Sequence, residues 1–155
     1  MNAMTYESGE ARQGLLETVA EAIDEIGFAL ASLGAAYEQL DEYSADKLEA
    51  ELFGPTQTAY GRAKRAYAEF ATRHGLTTRT FEPQEAGLPS TRAKGFVENA
   101  VEAAGTADSA LAGLQDSEVW VEMGDQELRA GLAEVRDLIG GLRGRAREFL
   151  RTLGR

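Results

Sequence analysis

Leu16, Val19, Ile23, Ile26, Leu30, Leu33, Tyr37 and Leu40 follow one another at alternating steps of three and four residues. That stepping keeps apolar side chains on one stripe of a 3.6-residue helix, the seam by which the helices of bundles and coiled coils meet. It predicts one long helix over about Tyr6 to Glu42. Ser44 then stands as N-cap of a short segment near 45–53, SADKLEAELF, and Gly54-Pro55 either ends that segment or kinks it, since proline is tolerated as a first helical residue. The stepping resumes through Tyr60, Ala63, Tyr67, Phe70 and His74, so a second helix is expected over about 55–74, with Gly75 as its C-terminal stop.

Leu76 to Pro89 holds two of the three prolines and no period, and reads as a loop, with Ser90 or Thr91 as N-cap of the next helix. A third seam runs through Val97, Ala100, Ala104, Ala107, Leu111 and Leu114. A fourth, N-capped by Asp125, runs through Leu128, Leu132, Val135, Ile139, Leu142, Ala146, Phe149 and Leu153. Four amphipathic stripes with connections of these lengths predict an all-α fold, an antiparallel up-down-up-down four-helix bundle with a short extra helix near 45–53, as one domain over 4–155. The alternative is a three-helix domain that dimerises through a detached first helix. In the bundle Tyr67 would lie opposite Val97 and Tyr60 opposite Ala104, large side chains of the second helix against small ones of the third. Met1 to Ala3 are set apart from the fold, as an expected addition ahead of a native start at Met4.

One connection departs from the helical period. DSEVWVEMGD, residues 116–125, alternates like a strand and holds the only tryptophan, with Val119, Trp120, Val121 and Met123 all apolar. It has two readings: a lid over one end of the core, or an exposed hook whose Trp120 anchors a partner.

Composition narrows the chemistry. With no cysteine there is no disulfide, thiol nucleophile or Cys-based zinc site. The net charge of −10 argues against general binding to nucleic acid or to an anionic membrane, and no uncharged run approaches the ~20 residues of a bilayer span. The opening residues lack the basic and apolar regions of a signal peptide, so a cytoplasmic location is the default expectation. The excess of Arg over Lys, with abundant Ala and Gly, suggests a GC-rich bacterial genome. A carboxylate-bridged metal site needs inward acidic residues and a Glu-x-x-His pair, yet His74 is the only histidine, Ala71 and Phe70 precede it at three and four, and no Asp or Glu falls on a seam. No phosphate-cradling glycine loop, nucleophile elbow or HExxH motif is present. No metal, cofactor or catalytic residue is therefore expected, and the chain leans away from an enzyme.

Binding remains. Tyr37, Tyr60 and Tyr67 sit on seams and, with His74 and Ala104, outline a candidate ligand pocket inside the bundle; the plainer reading makes them core aromatics and a helix-end histidine. IGFALASLGAAY, between Glu25 and Glu38, is uncharged on every face, with Phe28, Ala31 and Ala35 opposite the seam. A helix apolar all round is buried all round, so either a second subunit or the 76–89 loop covers it, and self-association through the first helix is expected. Phe28, Ala31, Ala35, Trp120 and Met123 are the candidate partner surface. Charge signs alternate in blocks, and the up-down-up-down order would gather Arg143, Arg145 and Arg147 at a basic pole, opposite an acidic one. Helix dipoles account for such a pole, or it docks an acidic partner. The functional expectation is a non-enzymatic interaction or regulatory module, with a small-molecule-binding bundle as alternative.

Overall fold

The computed structural model describes residues 3–153, with side chains from Ser8 onward; Met1, Asn2, Gly154 and Arg155 lie outside it. The described residues form helices α1 (Ala3–Tyr37), α2 (Glu42–Leu48), α3 (Gly54–His74), α4 (Ala93–Gln115), α5 (Glu118–Met123), α6 (Gln126–Gly140) and α7 (Leu142–Leu153), and no strands. The all-α class and the four-helix bundle hold: α1, α2–α3, α4 and α6–α7 are its four rods.

The ends of the elements follow local chemistry. α1 stops at Tyr37, five residues earlier than its stripe suggests, because Asp41 opens the next helix by accepting the Ser44 backbone N–H at 2.7 Å. Asp41, rather than Ser44, is thus the N-cap. From Glu42 the chain stays helical to His74 by passing through a π-turn, Glu49–Phe53, just ahead of Pro55. Pro55 has no N–H to give the carbonyl of Glu51 and its ring would clash there; the wider turn lets the helix continue, with Gly54 N–H donating to Glu49 O. Gly75 ends α3 in the left-handed region, φ 63°, as a C-terminal glycine should. α4 begins after Arg92 with no side-chain cap, so neither Ser90 nor Thr91 serves; the Thr91 N–H is used in a turn onto Leu88 O. Asp125 caps α6 as expected, accepting the Leu128 N–H at 2.8 Å. The fourth rod breaks at Gly140-Gly141 into α6 and α7.

Each rod lies antiparallel to both of its neighbours, but the chain visits them in an unexpected order. Residues 75–92 run the length of α1: Gln13 exchanges hydrogen bonds with both backbone groups of Thr77, Arg79 grips Asp24, and Gln39 donates to Thr91 O. The crossover therefore returns the chain to the end where α3 began, and α4 runs parallel to α3. The order is up-down-down-up. α3 and α4 sit on one diagonal and their backbones do not approach closely, while α3 abuts α1 and α6, and α4 abuts α1 and α6–α7. The expected opposition of Tyr60 and Tyr67 to the alanines of the third helix is corrected accordingly. Tyr60 instead lies on Gly27 of α1, whose missing side chain makes the room.

The core is continuous through all four rods. α4 meets α1 through small buried residues, Ala22, Ala29, Ser32 and Ala36 against Ala100, Ala103 and Ala107, which draws those two axes together.

Candidate interaction groove

The tight α1–α4 contact has a consequence on α4's other flank. There α4 and the α6–α7 arm stand apart, and between them lies an open groove of about 910 Å³. Its floor is apolar: Val101, Ala104, Ile139, Leu142, Ala146 and Leu150. Its two rims differ in sign. The α4 rim carries Glu98 and Glu102, one turn apart; the α7 rim carries Arg143 and Arg147, also one turn apart, and all four are exposed. Gly105 leaves a gap in the α4 wall, where an added Cβ would meet only Arg143 Nη2, at 3.7 Å. Further along, Arg136 closes the floor by bonding Asp108 at 2.8 Å and the Gln115 side chain. Among the described residues no carboxylate lies within 4.0 Å of Arg143 or Arg147, and no cation within that distance of Glu102, whereas Glu98 has exposed Lys94 of its own helix at 3.9 Å.

Arg145 points the other way and sets the arm. Its guanidinium donates to Leu138 O, freed where α6 ends, and to Glu51 O, the carbonyl that Pro55 leaves without a partner, each at 3.0 Å. A side chain on Gly141 would collide with that guanidinium, so the glycine at the break is what admits the clamp. One arginine thus ties the π-turn of the second rod to the break in the fourth, and thereby fixes the α7 wall of the groove.

The other sequence candidates fall elsewhere. Tyr37 stands at the exposed end of α1; Tyr67 is 5% exposed, edge-on to Phe81, its hydroxyl accepting the Arg79 backbone N–H. Tyr60 is half-buried, and burial followed by the charge of Asp24 raises its phenol above the ordinary value. His74 lies tilted against the Phe70 ring and its Nε2 lies 3.0 Å from Asp125. Of that proposed set only Ala104 faces the groove, so the structure does not assemble a tyrosine-lined interior pocket. Phe28, Ala31 and Ala35 are half-buried, because residues 84–91 cross the outer side of α1 from Gly27 to Asn99 of α4 and Gln39. The loop meets the need that suggested a second subunit there.

Trp120 is 5% exposed and belongs to the core, so it is a lid and not a hook. The stretch around it is the short helix α5 rather than a strand, capped by Ser117, with Met123 half-buried and Val121 turned outward. The basic pole does not form as expected. Up-down-down-up order brings the α7 arginines to the end that holds Asp41, Glu42 and Asp46, where Lys47 reaches Thr152, and leaves Arg73 at the opposite end on Asp125. Arg143 and Arg147 become groove residues and Arg145 the clamp.

Sequence reasoning missed Glu98, Glu102 and the role of Arg145. The signal was present as two rows at i, i+4 beside apolar seams, but which rows face each other depends on which rods are neighbours. Comparison with known proteins finds no matching family model, no matching curated protein and no matching solved structure. Among the described residues no three His, Asp or Glu side chains converge as a metal ion would need, and no described helix is long and apolar enough to cross a membrane.

Proposed function

We propose that this chain is a non-enzymatic interaction module whose working surface is the groove between α4 and the α6–α7 arm. One observation carries the reading: this is where the bundle leaves an apolar floor open between charged rims that do not satisfy one another. Grooves of this kind, apolar below and polar at the edge, are how helical scaffolds take another segment. Its groups hold a ligand in place; they include no nucleophile paired with a base. A small amphiphile in the same groove is the second reading, favoured by a volume within the range of ligand sites.

Selection from a displayed library of helical peptides against the full chain tests the proposal, with Gly105→Tyr as a groove-filling control. Binders are expected to lose the control by about tenfold or more, a 1.4 kcal/mol effect. Binders that hold both proteins equally would move the interaction elsewhere. A thermal shift with small amphiphiles, absent in Gly105→Tyr, would favour the second reading.

A further inference from the structure

The groove carries more information than its existence, because its rims differ in sign. Antiparallel α4 and α7 place Gly105 across from Arg143 and, one turn on, Glu102 across from Arg147, with Glu98 one turn beyond Glu102. Two carboxylates line one side of the apolar floor and two guanidiniums the other. No ion pair within 4.0 Å closes the gap between Arg143 or Arg147 and these carboxylates; Glu98 shares its charge with exposed Lys94 of its own helix at 3.9 Å, and Glu102, Arg143 and Arg147 offer theirs to whatever lies between.

Resting on the groove reading above, we infer that the occupant is an amphipathic α-helix of a partner protein, with a cationic flank against α4 and an anionic flank against α7. The span from Glu98 to Ser109 is eleven residue steps, about 17 Å, or roughly three turns of helix. Two helices as walls, with an apolar strip between, offer a third helix the ridges and grooves on which helices pack. A strip of that length takes three or four apolar anchors at i, i+3, i+4 and i+7. The gap at Gly105 accepts one large anchor.

The opposed rims also fix the direction of docking. Turning a helix end for end over a groove exchanges its left and right flanks. A helix with lysines on one flank and glutamates on the other therefore satisfies both rims in one direction only, whereas a helix with like flanks always meets one repulsive rim. Exposed charge pairs of this kind act on selectivity more than on raw affinity.

The test uses the full chain and designed 18-residue helices with one leucine seam. One has a lysine flank and a glutamate flank, a second has these exchanged, and two further helices carry lysine or glutamate on both flanks. The two mixed helices are expected to bind about tenfold more tightly than either uniform one at low salt, with the difference shrinking as salt is added. Replacing Glu98 and Glu102 by Gln together with Arg143 and Arg147 by Gln should erase the preference. The chain has no native cysteine, so Ser109→Cys accepts a single spin label. That label should lie near opposite ends of the two mixed helices. Equal binding of all four, blocked by Gly105→Tyr, would overturn the charge rule and leave the groove reading standing. Binding to none, or unchanged binding to Gly105→Tyr, would overturn both, and a protein dimer lost in Gly105→Tyr would replace the partner helix by a second copy of the chain.

Discussion

At the scale of single residues, Asp125 does three tasks with one carboxylate. It caps α6, takes a two-pronged hydrogen bond from Arg73 at 2.7 and 2.8 Å, and accepts His74 Nε2–H at 3.0 Å. Burial pushes its pKa up, but Arg73, the Leu128 N–H and His74 outweigh that and hold it at about 2. Because the folded value lies below the unfolded value of about 3.9, the folded state gains stability from the ionised form, in full above about pH 4 and lost as pH falls towards 2. The melting temperature is expected to drop through that window, and Asp125→Ala to cost about 2 kcal/mol at neutral pH while flattening the drop. An acid limb unchanged in the variant would assign it to other carboxylates. Ser32 presents the opposite case. Its hydroxyl is fully buried on the small-residue face of α1 and has no hydrogen-bond partner. Ser32→Ala keeps the shape and removes the orphan, so chemical denaturation should find the variant more stable by about 1 kcal/mol.

Among the elements, α5 shows how a six-residue helix is held without length. Ser117 accepts the Trp120 N–H, Arg12 of α1 donates to Met123 O, and the indole seals the end of the core. Gly124 completes the seal: an added Cβ would come within 2.8 Å of Trp120 O, so even alanine would force the backbone to shift. As the only tryptophan, Trp120 reports on itself. Its emission should be blue-shifted and resist acrylamide, and Trp120→Ala should cost about 3–5 kcal/mol. Red-shifted, readily quenched emission would mean that α5 stands away from the bundle.

For the whole molecule the decisive element is the crossover of residues 75–92. It sets the direction of α4, covers the outer side of α1 and leaves α4 free to lean away from α7. Its anchors, Arg79 on Asp24 and Phe81 on Tyr67, are partly solvated, so the strap opens more readily than the buried core. Light scattering at tens of micromolar is expected to find the intact chain monomeric. The double variant Arg79→Ala with Phe81→Ala, which loosens the strap over Phe28, Ala31 and Ala35, should dimerise with rising concentration. A dimer of the intact chain, unaltered in the variant, would point to another face.

The amphipathic stripes, the Asp125 cap, the Gly75 stop and the burial-prone surface of α1 were all legible in the sequence, because each depends on residues within a turn or two of one another. The lid role of Trp120 was legible as one of two readings, since its apolar neighbours demanded cover without saying from where. The order in which the rods are visited was not legible. A connection of this length without a period satisfies a loose turn and a full-length crossover equally well, and the choice rests on Gln13, Asp24 and Gln39, which lie far from it in sequence. The groove depended on that choice. Glu98, Glu102, Arg143 and Arg147 are ordinary exposed helix charges until packing makes α4 and α7 neighbours, and only then do their rows face each other across an apolar floor.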